Sequence, residues 1–322
     1  MHPAHSRALH ESQGSIMAHT YVIAGATGML GRRLALLLHE RGDRVIVLTR
    51  SVAASKRALP FADEHIDMRS SNEPEILRAV DASDGVINLS GANIGTVRWT
   101  QRNKDIFRSS RVDTTRMLSG ALLKASAKER VFVSASAVGI YGHDFATSNS
   151  EDAKAASDFL AELCVAWEAE AMKAQSVARV VMPRIGIVLD TKDGALSKML
   201  LPFRFFVGGA IGSGRQWMSW IHLDDMIRAL VFLLDTPEAR GAVNCVAPNP
   251  VTMKEFASTL GSVLHRPSLF PVPELALKLL LGEQHVLVTA STRVSSKKLH
   301  SLGFRFTFSS LADALRDLLK KR

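Results

Sequence analysis

Cysteine and long apolar runs are scarce in this chain of 322 residues. Its two cysteines, Cys164 and Cys245, exclude a disulfide framework and a cysteine-rich zinc site, and we predict no metal centre. No apolar run approaches the roughly 18 residues that cross a bilayer, which argues against a membrane partner. These absences predict a soluble protein of a reducing compartment, with the cytoplasm as the expected location.

The first 19 residues lack a periodic apolar pattern and contain four histidines. A secretory signal is excluded because it needs an apolar core of roughly 7–15 residues. We therefore predict a disordered tail over residues 1–19. The alternatives are an organellar transit peptide and an upstream start that precedes Met17.

The rest of the composition is that of a globular protein, with 47% hydrophobic and 22% charged residues. So much apolar side chain offsets the entropy of ordering the backbone, which excludes low-complexity disorder. The 40 Lys and Arg exceed the 31 Asp and Glu, which gives a formal charge of +9. No basic run alternates with aromatic residues as a strand-binding surface requires. We therefore interpret the charge as a solvated basic surface and expect no nucleic-acid partner.

Short apolar strands alternate with longer helical segments from residue 20 to about residue 190. Such alternation is typical of parallel sheets with right-handed crossovers, so we predict an α/β fold with a Rossmann-type doubly wound parallel sheet over residues 20–190. The predicted strands are 21–24, 45–48, a short one near 65–66, 85–89, 131–133 and 179–182. The predicted helices are 30–39, 73–80, 99–126 and 158–173.

After residue 190 the chain is punctuated by glycine and proline, and its predicted helices are shorter. We predict a smaller mixed C-terminal lobe over residues 191–322, which packs over the edge of the sheet and leaves a substrate cleft between the two domains. Asp224 is the predicted N-cap of a helix that extends to Leu234. Further helices are predicted at 253–264, 274–281 and 311–319.

A glycine-rich turn with the spacing GxxGxxG lies directly between the first predicted strand and the first predicted helix. Glycine has no Cβ, so the turn can tighten and its N–H groups can approach a pyrophosphate at the positive end of the following helix. In this strand–turn–helix context we predict a nucleotide-binding turn. The residues assigned to the cofactor are Gly25, Thr27, Gly28, Met29, Leu30 and Gly31.

The second predicted strand ends at Thr49, Arg50 and Ser51, and this end indicates which cofactor is favoured. An acidic residue at this distance from the glycine turn would hydrogen-bond the ribose 2′-hydroxyl and repel a 2′-phosphate. Arg50 instead offers a planar, charged donor to that phosphate. We assign all three residues to the cofactor site and predict NADP(H), with NAD(H) as the less favoured alternative.

Several sequence blocks resemble the extended short-chain dehydrogenase/reductase superfamily, and more narrowly its "epimerase family protein" branch. The resemblance covers essentially all of residues 20–319. It implies a nicotinamide cofactor, an extra C-terminal domain and epimerase-like chemistry. The blocks are the glycine turn, VINLSGANI at 86–94, RWT at 98–100, SRV and TT within 110–115, SASAVGIYG at 134–142 and GSGRQWMSWIH at 212–222.

The resemblance also assigns roles to matching positions. It implies that Leu89, Ser90 and Gly91 lie along the adenosine ribose and the phosphates of the cofactor. Arg111, on the long helix behind them, is expected to face the cofactor. Val188 is expected near the nicotinamide carboxamide, after the sixth strand.

The catalytic residues of the wider superfamily are only partly present. Its members use a Ser or Thr, a Tyr that acts as general acid/base, and a Lys four residues after the Tyr. Ser136 matches the serine position and is the first catalytic candidate. Aligning Glu168 with the acidic residue that commonly follows the pair puts Leu160 at the tyrosine position and Cys164 at the lysine position. The resemblance therefore does not supply a Tyr–Lys mechanism.

Three further residues are candidates for the site. Tyr141 is the second catalytic candidate because it follows Ser136 closely and could reach the cleft from its loop, but a structural tyrosine is the favoured interpretation. Arg215 is the candidate for binding an anionic or ring-bearing substrate, and a loop-packing role is equally open. His222 is interpreted as a structural corner at the start of a helix rather than as an acid/base.

Two functions are compatible with these residues. The first is an NADP(H)-dependent oxidoreductase or epimerase that acts on an unidentified small molecule, whose carbonyl is held against Ser136. The second is a non-catalytic NADP(H)-binding regulatory protein, for example a cell-division factor, which the missing Tyr–Lys pair favours. The Gly-rich loop of the second lobe favours the enzyme. We expect a monomer or a homodimer.

Overall fold

The computed structural model describes residues 18–69 and 72–320, so most of the predicted tail over residues 1–19 lies outside the described residues. The strands are β1 Thr20–Ala24, β2 Arg44–Thr49, β3 Glu64–Asp67, β4 Gly85–Asn88, β5 Val131–Ser134, β6 Ser136–Ala137, β7 Ser148–Asn149, β8 Arg179–Ile185, β9 Ile187–Leu189, β10 Trp217–Met218, β11 Trp220–His222, β12 Gly241–Cys245, β13 Val251–Thr252 and β14 Arg293–Val294. The helices are α1 Met29–Glu40, α2 Val52–Ala58, α3 Glu73–Ala82, α4 Gln101–Lys124, α5 Phe159–Met172, α6 Gly194–Arg204, α7 Leu223–Asp235, α8 Met253–Leu264, α9 Glu274–Leu281, α10 Val286–Thr289, α11 Lys297–Ser301 and α12 Leu311–Lys320. Among these helices, none combines the length and the apolarity that a membrane crossing needs.

One large parallel sheet forms the centre of the described chain. Its strand order is β12-β8-β5-β4-β1-β2-β3, and β6 pairs with β8. From β1 the chain moves outward to β2 and β3 on one side, and then to β4, β5, β8 and β12 on the other. This reversal of direction between β1 and β4 confirms the predicted Rossmann-type doubly wound sheet.

Helices cover both faces of the sheet, which explains why the strands are apolar on both sides. Ile23 of β1 faces α1 and α7, where Leu34 and Leu230 complete one core. Its neighbour Val22 faces the other side and packs with Leu118 of α4. Because side chains alternate along a strand, one short apolar run supplies both cores.

The second half of the chain returns to the sheet, which differs from the predicted division at residue 190. Helix α7 packs on the same face as α1, and β12 pairs in parallel with β8 at the edge of the sheet. The separate small lobe is built instead from α6, α8, α12 and their short strands, around a core that includes Trp220, Phe256 and Leu315. Only long-range pairing assigns the five residues of β12 to the sheet, because so short a segment has no distinctive pattern.

The start of α7 corrects the predicted helix cap. The N-cap is His222 and not Asp224, because the Nδ1 atom of His222 accepts a hydrogen bond from the Asp224 N–H at 3.0 Å. The His222 ring stacks on Phe308 at 3.9 Å, and its Nε2 lies 3.3 Å from a carboxylate oxygen of Asp317 on α12. His222 therefore forms the expected structural corner between the sheet and the C-terminal helix. Atoms of His222, Asp224 and Asp317 that could ligate a metal lie within 4.8 Å of one another, so the absence of a metal site stays a prediction.

Candidate nucleotide-binding cleft and active site

The turn between β1 and α1 needs two of its glycines for its own folding. Gly25 has a φ of +83°, and a Cβ there would lie 2.5 Å from the carbonyl carbon of Leu89. A Cβ on Gly31 would lie 2.2 Å from the Gly25 oxygen. Both distances are too short for real atoms, so these glycines let the turn approach β4 and close on itself.

Gly28 differs from its two neighbours because the fold leaves room for a side chain there. A Cβ on Gly28 would meet only the Gly25 oxygen, at 3.3 Å, and its φ of −75° is open to any residue. Gly28 is also the N-cap of α1, which has no side-chain cap and no acidic residue in its first turn. The first N–H groups of α1 are thus open to a ligand, as a pyrophosphate at a helix N-terminus requires.

The other turn residues and the end of β4 surround this opening. Thr27 is exposed, whereas Met29 and Leu30 are half-buried and pack on the core beneath the turn. Leu89 and Ser90 follow β4 directly across from Gly25, and the Ser90 N–H is held by the Asn88 side chain at 3.1 Å. The two loops therefore meet at the point where the strand order reverses, which is where ligands bind in open α/β sheets.

The end of β2 presents one unpaired cation. Thr49 is buried, and the Ser51 hydroxyl accepts a hydrogen bond from the Ala54 N–H at the start of α2. Arg50 is exposed, and among residues 18–69 and 72–320 its guanidinium has no hydrogen bond or ion pair. Of the three predicted residues, Arg50 alone has a charged group that is not used within the fold.

Arg111 is a largely buried cation behind the β4 loop. Its Nη1 donates to the Ala92 carbonyl at 3.1 Å, and its guanidinium lies so close to Gly91 that a Cβ there would be 2.8 Å from Cζ. Burial lowers the pKa of Arg111, and no carboxylate of the described residues pairs with it. A buried cation without a counterion is costly, so its surroundings fit an anionic or carbonyl group of a ligand.

Trp167 adds an unsatisfied donor to the same region. Its indole lies 5.4 Å from the Arg111 guanidinium, and it is almost fully buried. The Trp167 Nε1 atom has no hydrogen-bond partner in the described part of the chain. Buried polar groups are normally paired, so this enclosed donor is an exception within the described residues.

Val188 lies on β9, and its proximity to the nicotinamide stays a prediction. It belongs to β9, which pairs with β11, and its side chain is buried in the core beside Ile221. Its side chain therefore does not face the cleft. Only the backbone of Val188 is available for a cofactor.

Ser136 is part of a buried polar network rather than an open hydroxyl. It is 2% exposed and donates a hydrogen bond of 2.6 Å to Glu168 on α5. Glu168 also accepts two hydrogen bonds from Arg184 of β8, at 2.8 and 2.9 Å. The single proton of the Ser136 hydroxyl is thus directed at a carboxylate that already pairs with an arginine.

Tyr141 belongs to the same network and not to the cleft. Its hydroxyl donates to Asn244 of β12 at 2.7 Å and accepts from Arg184 at 2.8 Å. Burial raises the pKa of Tyr141 in spite of the Arg184 charge. These contacts correspond to the structural alternative for Tyr141, since its hydroxyl ties β12 to the sheet.

Helix α5 contains Leu160 and Cys164, which the alignment with Glu168 puts at the tyrosine and lysine positions. Leu160 packs near Gly139 and borders a cavity, whereas Cys164 is buried one turn further along. The thiol of Cys164 donates to the Ala137 carbonyl at 3.7 Å. Burial, together with the charge of Glu168, raises the pKa of Cys164 to about 11, so the thiol is neutral and unreactive at ordinary pH.

The cavity beside Leu160 has a volume of about 650 Å³ and lies between α5 and the C-terminal half of the chain. One wall is aromatic, with Trp99 against Phe159 at a ring distance of 5.4 Å. The opposite wall includes Arg215, whose exposed guanidinium forms no ion pair within the described ranges. This is the concave, mostly apolar space that a small-molecule substrate needs.

Residues that the sequence analysis did not single out complete the site. His143, His285 and Thr289 line the cavity, and they come from a loop after β6 and from the segment that follows α9. The ion pair between Glu168 and Arg184 had a weak sequence signal, since nothing in the sequence indicated that these two residues pair. No local pattern indicates the cavity residues, because they are brought together from distant parts of the chain.

A parallel doubly wound sheet with an open glycine turn at its reversal point defines a nucleotide-binding Rossmann protein. The sequence profile of the NAD dependent epimerase/dehydratase family matches residues 21–245, and that of a domain of unknown function (DUF1731) matches residues 272–318. The chain belongs to the NAD dependent epimerase/dehydratase family, which confirms the resemblance seen in the sequence.

Relatives match over nearly the whole length. The chloroplastic epimerase family protein SDR39U1 homolog of Arabidopsis thaliana is 39% identical over 303 residues, which is 94% of this chain and 87% of that protein. The epimerase family protein YfhF of Bacillus subtilis is 37% identical, over 93% of this chain and 98% of its own length. The crystal structure of human epimerase family protein SDR39U1 (isoform 2) with NADPH has a TM-score of 0.85 at 30% identity, over 94% of this chain and 100% of the human chain.

Proposed function

We propose that this chain binds NADP(H) between the β1 and β4 loops and is an NADP(H)-dependent oxidoreductase or epimerase-like enzyme acting on a small carbonyl or alcohol. The observation that carries the proposal is the opening at Gly28, where the fold tolerates a side chain and the helix N-terminus has no cap of its own. The NADPH in the solved human relative supports the choice of cofactor.

The bound cofactor would be held at three places. The first turn of α1 receives the pyrophosphate, with Gly28 at the closest approach. Arg50 pairs with the 2′-phosphate, which explains why an exposed cation stands unpaired at the end of β2. Arg111 lies behind Gly91 and offers its charge to a group that enters from the cleft.

NADPH when bound supplies a hydride to the carbonyl carbon, so the chain itself must orient the substrate and stabilise the charge that develops on the carbonyl oxygen, which then takes its proton from water. Leu160 has no hydrogen-bond donor, and the Ser136 proton is held by Glu168. We assign the hydrogen bond to the carbonyl oxygen to His143, which lines the cavity. Its Nδ1 accepts the Ser291 N–H at 2.8 Å, so the proton of the neutral ring is on Nε2. Arg215 on the opposite wall then binds an anionic or ring-bearing part of the substrate.

A non-catalytic NADP(H)-binding protein is the second candidate function. The hydrogen bond from Ser136 to Glu168 and the replacement of the tyrosine by Leu160 both favour it, because each removes an acid/base of the superfamily from the cleft. In that case the cavity binds a small ligand or stays part of a regulatory surface. The location also stays a prediction: we favour the cytoplasm, and the chloroplastic relative supports import into an organelle as the alternative.

A screen of NADPH oxidation against aldehydes, ketones and quinones tests the two functions. We expect turnover with at least one carbonyl compound. Leu160→Trp, which fills the cavity, and His143→Gln should each abolish or strongly reduce turnover without changing NADPH affinity. Arg57→Ala, an exposed arginine on α2, is the control for surface charge. Tight NADPH binding without turnover of any compound would favour the non-catalytic function, and absence of NADPH binding would refute both.

A further inference from the structure

A large apolar surface surrounds α9 and lies outside the cleft. Nine large apolar residues there are each more than half exposed, between 52% and 75%. We call this surface the α9 face. Its members are Leu201, Phe205, Phe206, Val207, Leu269, Phe270, Leu275, Leu279 and Leu280.

The members of the α9 face are joined through the backbone. The Phe270 N–H donates to the Gly208 carbonyl at 3.2 Å, and this contact places the end of α6 beside the segment before α9. Pro273 then starts α9, whose far end accepts a hydrogen bond from Arg98 at the Leu280 carbonyl. Helix α9 itself contains no buried residue. An eight-residue helix depends on tertiary packing for its stability, so this helix lacks the packing it needs within one chain.

The size of the α9 face exceeds that of an ordinary monomer surface. Side chains of this kind bury about 150–200 Å² each, so nine of them at the given exposures leave on the order of 900 Å² of apolar area. The largest patch on a typical monomer is about 300–600 Å². A standard interface takes about 800 Å² from each partner. The α9 face is therefore large enough to be one half of a stable interface.

The charges of α9 indicate which partner fits. Glu274 and Lys278 lie one turn apart on one rim of the helix, with their charged atoms 3.0 Å apart, and Leu275 and Leu279 lie beside them. In an antiparallel pair of α9 helices, a two-fold axis sets Glu274 of one copy against Lys278 of the other, twice. Such self-complementarity is the requirement of an isologous interface. Within α9 one cation is matched by one anion, and the arginines that border the α9 face, Arg98 and Arg266, are engaged by the Leu280 carbonyl and the Phe206 ring.

We propose that the α9 face is the interface of a homodimer, in which two α9 helices pack antiparallel across a two-fold axis. The consequence reaches the cleft, because Glu274 and the residues just after α9, His285 and Thr289, line the substrate cavity. The second copy then packs against the outer side of that cavity wall and holds it in place. The shape of the substrate cavity therefore depends on the oligomeric state.

Sedimentation velocity of the full chain tests this interface. We expect a dimer for the wild type, and for Leu275→Glu with Leu279→Glu we expect a dimer dissociation constant raised at least about a hundredfold. Leu123→Glu, on the exposed side of α4, is the matched control and should leave the dimer intact. Circular dichroism should show that the monomeric variants stay folded, with a melting temperature lowered only by the stabilisation that dimerisation gives the wild type.

Charge reversal tests the antiparallel arrangement itself. Glu274→Lys and Lys278→Glu should each weaken the homodimer by about tenfold, because each sets like charges against one another. An equimolar mixture of the two variants should form a heterodimer, and the double reversal should restore the homodimer. A monomeric wild type would overturn the proposal, as would a dimer that the leucine variants leave intact, or a monomer that binds phosphatidylglycerol vesicles through the same leucines. A dimer that the leucine variants break but charge reversal does not affect would overturn the antiparallel pairing.

Discussion

The two ends of the cleft satisfy their polar groups in opposite ways. At the glycine turn, the N-terminus of α1 has no cap and Arg50 has no partner within the described residues. At the base of α5, the Ser136 hydroxyl is bonded to Glu168, which is bonded in turn to Arg184. Open polar groups cost free energy unless a ligand completes them, whereas closed networks stabilise the fold itself.

This difference indicates what each end contributes. The turn is arranged for a molecule that the chain does not contain, and we therefore propose that it binds the cofactor. The network around Arg184 connects α5, β8 and β12, and its hydrogen bonds are already made. Ser136 stands at a position that takes part in catalysis elsewhere in the superfamily, but in this chain its hydroxyl belongs to a hydrogen-bond network that stabilises the fold.

The largest expected effect comes from breaking the closed network. Arg184→Ala should lower the free energy of unfolding by about 3–5 kcal/mol, because it leaves Glu168 as a buried charge without its partner. Urea unfolding followed by circular dichroism measures the change. Arg316→Ala is the control, because its ion pair with Asp313 is more than half exposed and should contribute little. If Arg184→Ala lowers the free energy of unfolding as little as the control does, the network does not stabilise the fold.

Gly28→Val should weaken NADPH binding by about a hundredfold or more while the chain stays folded. The Cβ fits beside the Gly25 oxygen, but the branched side chain fills the space over the N-terminus of α1. Calorimetric titration with NADPH measures the loss. Gly31→Val is the contrasting variant and should prevent folding, since its Cβ would lie 2.2 Å from the Gly25 oxygen. Normal NADPH binding by a native Gly28→Val protein would show that the turn is not the phosphate site.

Arg50→Ala should weaken NADPH binding about tenfold to a hundredfold and leave NADH binding unchanged. The reason is that only NADPH has the 2′-phosphate that pairs with the guanidinium. Both cofactors are titrated against wild type, Arg50→Ala and the surface control Arg57→Ala. The control distinguishes the ion pair between Arg50 and the 2′-phosphate from a general effect of surface charge. Equal affinities of the wild type for NADPH and NADH would refute the assignment.

Ser136→Ala should reduce the free energy of unfolding by about 1–2 kcal/mol, as expected for one hydrogen bond to a charged group. NADPH affinity should not change, because the hydroxyl faces Glu168. If a substrate is found, turnover by Ser136→Ala tests the sequence prediction directly. A loss of turnover without a loss of stability would restore Ser136 as a catalytic residue.

The smallest expected signal is the modification of Cys164. With a pKa of about 11, about one thiol in a thousand is ionised at pH 8, so iodoacetamide should leave the native thiol intact. Its folded-state pKa is raised, so its contribution to stability is full below about pH 9 and is lost as the pH rises through about 11. Mass spectrometry compares the alkylated fraction of Cys164 in native protein with that in urea-unfolded protein. Rapid alkylation of native protein at Cys164 would show that α5 is open there.

Much of the Rossmann half could be predicted because its signals are local. The glycine spacing, the buried strands and the exposed cation after β2 each depend on a few neighbouring residues. The register of α5 does not follow from the sequence in the same way: Leu160 borders the cavity, but Cys164 is buried in the core, whereas the alignment with Glu168 puts it at the lysine position. Helix periodicity fixes which residues of α5 share a face, but not how far that face turns toward the cofactor.

The partners of the candidate catalytic residues could not be predicted in this way. Ser136 was expected to face a substrate, and its hydroxyl is instead bonded to Glu168. Tyr141 is structural, as favoured, but the sequence did not indicate its partners Asn244 and Arg184. The hydrogen bond from Tyr141 joins residues 103 positions apart. A sequence pattern cannot indicate such a pair, because neither residue has a distinctive local spacing.

The sequence by itself determined the class of the fold, the family and the nucleotide-binding turn. These follow from backbone sterics, helix and strand periodicity, and residue identity, which all act over a few positions. Only the tertiary structure decided that β12 returns to the sheet, that Ser136 is closed off, and that α9 is left without packing. Those outcomes depend on which distant groups satisfy one another once water is excluded, because a buried polar group or an apolar face is stabilised only by a partner in space.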